Sequence, residues 1–170
     1  YQKAIIYDYM NDSTKAMLYY SRLLEHDDLP YHFVKAIGGF LSRHDNDKRA
    51  LDLYDTYHRI NPQHEYFARA IEKINNHQVP EPFISDVTDG VAEVLREASR
   101  ALYKNDFTRE GISFLNLGLF LQPDNAETKI LLATYFEEEN KLDTAIMMYK
   151  SIPPQSDFYW VARIRMAEDL

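Results

Sequence analysis

Cysteine is absent from the 170-residue chain, which excludes disulfides, thiolate metal ligands and cysteine nucleophiles. Only 5 glycines accompany 13 tyrosines and 9 phenylalanines, and this balance favours helices packed through large side chains over a turn-rich β-sandwich. No uninterrupted apolar run approaches the ~18 residues that indicate a membrane span, so we expect no membrane insertion. The P-loop, GxGxxG and GxSxG motifs are missing as well. These absences predict a protein without catalytic residues and without a cofactor.

The excess of acidic residues limits the classes of partner. The net charge is −8, and nucleic-acid binding is disfavoured because phosphates require a concentrated basic surface. Residues 65–170 hold most of the excess, with 18 acidic against 11 basic side chains. None of the six histidines has a second ligand at a metal-binding spacing, so no metal site is predicted. A protein or a peptide remains as the expected partner.

An internal repeat with a period of 34 residues is the strongest pattern in the sequence. A shift by this period superimposes small residues on small ones and large residues on large ones in two separate halves of the chain. The pairs are Ala16 with Ala50, Tyr20 with Tyr54, Gly111 with Ala145, and Leu115 with Tyr149. Small residues allow two helix backbones to approach closely, and the large residue one turn later fills the space beside that contact. Each unit would leave an apolar face that only its neighbour can cover.

A helix-turn-helix unit of this length resembles the tetratricopeptide repeat family. The best match is the segment 31–64, through Val34, Ile37, Gly38, Leu41, Ala50, Tyr54 and Pro62. The resemblance implies an all-α fold, a right-handed superhelical array of antiparallel helix pairs, with one irregular repeat in the middle. The start of the last helix, Phe158-Tyr159-Trp160, is also similar to a class of long bacterial envelope repeat proteins.

The irregular repeat divides the chain into two predicted blocks. Between Glu65 and Val91 the period fails, and Pro80 and Pro82 disfavour helix around them. We expect Asp86 or Thr88 to cap the helix that follows, and Asp124 to cap a later one. The predicted blocks are 1–76 (units 1–30 and 31–64 and an extra helix 65–76), a loop at 77–87, and 88–170 (units 92–125 and 126–159 and the first helix of a further unit, 160–170).

The resemblance implies that the first helix of each unit lines a concave, ligand-binding face. The predicted partner-binding residues are the outward positions of these helices: Arg96, Arg100, Tyr103, Lys104, Ile130, Thr134 and Lys35. A basic stripe beside an apolar one would suit a peptide with an acidic end. In the alternative interpretation, Arg96 and Arg100 pair with Glu93 and Glu97 on a solvated surface.

These features predict a non-catalytic scaffold that binds a peptide or protein segment. One alternative is a structural module that packs a larger parent protein against itself or forms a homodimer. Another is the regulatory part of an enzyme whose active site lies outside this sequence. Since the sequence begins and stops within apparent helices, we expect it to be part of a longer protein. The envelope resemblance favours the bacterial periplasm or cell envelope as its compartment.

Overall fold

The computed structural model describes residues 1–26 and 28–168, and within these ranges the chain forms ten α-helices and no β-strand. The prediction of an all-α fold is therefore confirmed for the described residues. Position 27 of the first predicted unit and positions 169 and 170 of the last predicted helix lie outside them. The chain divides into two compact units, Tyr1–Ser85 (unit 1) and Asp86–Leu170 (unit 2), and each is described by itself.

The described residues of unit 1 form five helices, and those of unit 2 form another five. The helices of unit 1 are α1 (Gln2–Tyr9), α2 (Ser13–Leu23), α3 (Tyr31–Arg43), α4 (Asp47–Ile60) and α5 (Glu65–Asn75). The helices of unit 2 are α6 (Val87–Tyr103), α7 (Thr108–Leu121), α8 (Ala126–Glu138), α9 (Leu142–Lys150) and α10 (Tyr159–Glu168). Within unit 1 the helices pack in the pairs α1–α2, α3–α4 and α4–α5, and within unit 2 each helix packs on the next one along the chain. The contacts are most extensive in the pairs α1–α2, α3–α4, α6–α7 and α8–α9.

Five helices end in the same kind of turn, and equivalent positions of the helix pairs can be counted from these turns. Each has one residue in the left-handed conformation just after the helix: Asn11, Asp45, His77, Asp106 and Asn140. The amide of the next residue donates to the carbonyl five positions earlier, at 2.8–3.0 Å, as in a Schellman motif. Asn, Asp and His tolerate a positive φ better than most side chains do. Within unit 1 the first two turn residues are 34 positions apart, and within unit 2 the separation is again 34.

Small and large residues recur at fixed distances from these turns. Seven residues before the turn residue lies a small buried residue in every case: Ala4, Gly38, Ala70, Ser99 and Ala133. Where a second helix follows, the residue five positions after the turn is small and the one nine positions after it is large. Both are buried in all four pairs, at Ala16 and Tyr20, Ala50 and Tyr54, Gly111 and Leu115, and Ala145 and Tyr149. The contact positions predicted from the 34-residue period are thus confirmed as core.

Unit 1 ends in a stretch without a second helix after α5. Residues 76–86 are not helical, and Pro82 occupies the place where the other turns have their small contact residue. Proline removes an N–H and restricts the residue before it, which explains why no helix forms here. Asp86 caps α6 by accepting a hydrogen bond from the Asp89 amide at 2.9 Å, as predicted. The predicted cap at Asp124 is wrong, because Asn125 accepts the Thr128 amide instead.

Candidate functional site

One face of each first helix contains the predicted site residues. At α6 the residues ten, six and two positions before the turn residue are Arg96, Arg100 and Lys104, of which Lys104 directly follows the last residue of the helix. The same places on α8 are Ile130, Thr134 and Glu138, and on α3 they are Lys35, Gly39 and Arg43. Residues spaced by four lie on one side of a helix. We call these three positions the first-helix face; it includes all predicted site residues except Tyr103.

Arg96 lies inside the contact between α6 and α8. Its guanidinium donates two hydrogen bonds to Glu93 Oε2, at 2.6 and 2.9 Å, and one to Thr128 Oγ1 at 3.3 Å. The side chains of Arg96 and Glu93 are both buried. The alternative interpretation had the correct pairing with Glu93, but the pair is enclosed by protein and not solvated. Arg96 therefore joins two helices of unit 2 and is not offered to a partner at the surface.

Arg100 forms a second ion-paired group on the same helix. It donates to Glu97 Oε1 at 2.5 Å and to Glu127 Oε1, on α8, at 2.8 Å. Burial opposes the charge of Arg100, but the carboxylates of Glu127 and Glu97 outweigh this effect and raise the pKa of the guanidinium. The arginine therefore stays charged and bridges α6 to α8.

The charges around these two arginines do not make a basic stripe. Arg96 and Arg100 stand beside three carboxylates, those of Glu93, Glu97 and Glu127, so the group as a whole carries one excess negative charge if all are ionised. An acidic peptide end would have to compete with partners that are already in place. The electrostatic reason for expecting such a peptide therefore does not apply at Arg96 and Arg100.

The other predicted residues of unit 2 differ in exposure and in whether they take part in helix packing. The ring of Tyr103 stacks on Tyr135 with centroids 4.2 Å apart, so it belongs to the packing of α6 on α8. Lys104 is exposed, whereas Ile130 and Thr134 are half-buried, with the Thr134 hydroxyl donating to the Ile130 carbonyl at 3.2 Å. Lys104, Ile130 and Thr134 therefore remain accessible for contact with another molecule.

In unit 1 the first-helix face of α3 is covered by the chain itself. Arg43 Nη1 donates to the Glu81 carbonyl at 3.2 Å, and Arg43 Nη2 donates to both carboxylate oxygens of Asp8, at 2.7 and 2.9 Å. The Lys35 ammonium lies 4.7 Å from the centroid of the Tyr66 ring and 5.8 Å from that of Phe83. Arg43 and Lys35 thus hold the stretch after α5 against α3.

Sequence reasoning identified Lys35 but missed Arg43 as a residue of this face. A signal was available, since Arg43 stands at the same distance from its turn residue as Lys104 does from its own. The partner of Arg43 could not be identified in this way. Asp8 is 35 positions away on a different helix, and the acceptor in the stretch after α5 is a backbone carbonyl without a side-chain signature.

No helix among the described residues is long and apolar enough to cross a membrane. No protein-family model matches the sequence, and a search of curated proteins finds no significant relative.

Proposed function

We propose that this chain is a non-catalytic scaffold of the tetratricopeptide type that binds an extended segment of a partner protein. In this proposal the helix pairs stack into a right-handed superhelix, and the first-helix faces line its concave side. The pairwise packing of successive helices and the recurring turn, small-residue and large-residue positions support such an array.

One observation carries the proposal. The face that the repeat register assigns to ligand binding is, on α3, in contact with an extended piece of polypeptide. A cationic side chain of that face binds a backbone carbonyl, and a second one lies over an aromatic ring. Main-chain hydrogen bonds combined with sites for side chains, and aromatic surfaces for proline-containing segments, are recurring ways in which proteins hold extended peptides.

In unit 2 we assign the partner contact to the accessible residues Lys104, Ile130 and Thr134, with Arg100 beside them. Lys104 supplies a flexible cation and Ile130 an apolar surface. Arg100 is held in place by Glu97 and Glu127, and a rigid guanidinium loses little entropy on binding. Arginine is also among the residue types that most often dominate interface energy.

A photocrosslinking experiment tests whether this face meets a partner. A photoreactive amino acid is placed at position 104, and in a matched control at Lys150, an exposed lysine on the second helix α9. Exposed to an extract of the source cells and irradiated, the position-104 protein should give a discrete adduct that the position-150 protein lacks. Equal adducts at both positions, or none at 104, would contradict the proposed contact.

The partner captured in this way allows the residues to be ranked by affinity. Lys104→Glu and Ile130→Asp should each weaken binding by at least about tenfold, which corresponds to ~1.4 kcal/mol. Met147→Asp, on an exposed position of α9, is the control and should bind like wild type. Circular dichroism must show unchanged helix content for all three. Wild-type affinity of both test variants would exclude this face as the site.

A structural, self-associating role is the second candidate, and a cluster on α7 favours it. Leu117, Phe120 and Leu121 lie on one side of this helix, and Phe120 is 83% exposed. Exposed apolar clusters of this kind often mark contact surfaces. If the role is self-association, the purified chain should have a solution mass near twice 20.0 kDa. Phe120→Lys should return it to the monomer mass, whereas the control Ile60→Lys, at an exposed position of α4, should not.

A further inference from the structure

The stretch after α5 is an extended segment rather than a free loop. We call residues 79–84, Val-Pro-Glu-Pro-Phe-Ile, the strap. Among the described residues, no backbone–backbone hydrogen bond joins the strap to a helix. Pro80 and Ile84 are nevertheless buried and Phe83 is half-buried. The strap is therefore held by side chains, and the apolar residues near its two ends are its anchors.

The contacts of the strap are of a kind that another polypeptide could make. Glu81 contributes only its carbonyl oxygen to Arg43, and its side chain is exposed. Phe83 lies near Lys35 and near the ring of Tyr1, with ring centroids 6.4 Å apart. Recognition thus combines a backbone acceptor, which any residue supplies, with an aromatic side chain and buried prolyl and aliphatic ones.

The receiving surface is organised for a backbone to approach. Gly39 has no side chain; a Cβ built there would lie in ordinary contact with the Glu81 carbonyl oxygen, at 3.9 Å, but only 3.3 Å from Arg43 Nη1, the donor to this carbonyl. Arg43 is fixed by its two hydrogen bonds to Asp8 on α1, whose side chain is largely buried, as is that of Arg43. The donor is therefore preorganised by the helices and does not depend on the strap for its position. A preorganised donor lowers the entropic cost of binding.

From this arrangement we infer that the first-helix face of unit 1 is a binding site for extended proline-containing segments that carry an aromatic-aliphatic pair, and that the strap is its built-in competitor. The inference deepens the proposed function and rests on it. A tethered segment competes at an effective concentration in the millimolar range. A partner segment of the same chemistry therefore binds well only when the strap is displaced.

A peptide titration with the full chain tests this site. The probe is a fluorescein-labelled peptide with the sequence of residues 78–85, and the control peptide has serine in place of its Phe and Ile. In the protein, Phe83→Ser with Ile84→Ser removes the anchors at the C-terminal end of the strap and leaves Pro80 in place. The opened variant should bind the probe at least about tenfold more tightly than wild type and should not bind the control peptide. Adding Lys35→Glu to the opened variant should weaken binding by about two- to fivefold.

Two further measurements keep the inference falsifiable if the double variant loses helix content. Phe83→Ser alone is milder, because this ring is only half-buried. In wild type, excess unlabelled probe should increase chymotryptic cleavage of the protein after Phe83, since a displaced strap is exposed to the protease. Equal affinity of wild type and a folded opened variant overturns the inference. Absence of binding to that variant, or unchanged cleavage of the strap, does so as well.

The outcome can be separated from that of the proposed function. The crosslinking and affinity tests above use positions 104 and 130 in unit 2, whereas this titration concerns the strap and α3 of unit 1. A captured partner together with a peptide that fails to bind would reject only the strap as competitor. A peptide that binds without any captured partner would leave a working site and reject the scaffold assigned to unit 2.

Discussion

Two glycines, Gly38 on α3 and Gly118 on α7, should respond with opposite sign to the same substitution by alanine. Both are buried within helices and neither has a positive φ. In a helix interior, alanine is more favourable than glycine by roughly 1 kcal/mol. The sign of the total effect therefore depends on what the new methyl group meets.

At Gly38 the methyl group meets a rigid neighbour. A Cβ there would lie 2.2 Å from Cε1 and 2.4 Å from Cζ of Tyr54, a ring that is fully buried. The ring cannot turn aside into solvent, and moving it endangers the hydrogen bond from its hydroxyl to the Lys35 carbonyl at 3.1 Å. Overpacking costs about 1–3 kcal/mol and a lost hydrogen bond about 1 kcal/mol. We expect Gly38→Ala to lower the free energy of unfolding by roughly 1–3 kcal/mol after the helix gain is subtracted.

At Gly118 the same change meets ordinary contact. The nearest atom is Thr128 Cγ2 at 3.8 Å, so nothing has to move and the helix gain remains. Gly118→Ala should therefore raise the free energy of unfolding by about 0.5–1 kcal/mol. Urea unfolding followed by circular dichroism measures both variants. The two variants differ in sign only because the Tyr54 ring lies so close to Gly38. If both substitutions raised the free energy of unfolding, or both lowered it, this explanation would be refuted.

Three further predictions concern packing, charge and pH. Ala50→Leu and Ala145→Leu should each destabilise by about 1–3 kcal/mol in thermal unfolding, since both sites are fully buried; unchanged unfolding of both would contradict the 34-residue register. Arg96→Ala should lower the free energy of unfolding by about 3–5 kcal/mol, because it removes both guanidinium hydrogen bonds from the buried Glu93. The control Arg59→Ala, which breaks an exposed ion pair with Asp55, should change the free energy of unfolding by less than ~0.5 kcal/mol. Burial raises the pKa of Tyr20 and Tyr149 above the ordinary 10.0, so the unfolded chain loses these protons at a lower pH than the folded chain does, and the free energy of unfolding should fall as pH rises above 10. Urea midpoints at pH 8, 9.5 and 11 should show this fall. Tyr149→Phe should make the decrease of the midpoint with pH less steep.

The helices and their contact positions could be predicted because they depend on local or periodic signals. Small residues such as Ala50 and Gly111 recur one period away from a small partner, and any helix pair that packs closely needs them there. The proline-rich stretch likewise predicted an interruption, since Pro80 and Pro82 prevent helix whatever the surroundings are. In both cases the constraint applies within one turn of helix or at a fixed repeat distance.

Local and periodic signals could not predict whether the site residues are buried or exposed. An arginine three residues after a glutamate looks the same in sequence whether the pair is solvated or enclosed. For Arg96 the difference comes from Thr128, and for Arg100 it comes from Glu127; both are supplied by α8 from more than 25 positions away. Burial by a second helix is a tertiary event without a local pattern. The sequence therefore identified residues that share one side of their helices, but it did not predict which of these residues the fold buries or pairs.

The middle position of the first-helix face explains why one unit holds an extended segment on α3 and what the other can offer. At this position α3 has Gly39, α6 has Arg100 and α8 has Thr134. Glycine leaves room for a backbone carbonyl, whereas Arg100 fills its position and is held there by two carboxylates. Thr134 is intermediate in size, and its hydroxyl is directed to the carbonyl of its own helix. Under the proposed function, we therefore expect a partner on α6 and α8 to be recognised through side chains, at Lys104 and Ile130, and a partner of unit 1 to be recognised through its main chain as well. The proposal thus assigns two different binding chemistries to the same helical register, and the size of the middle side chain decides between them.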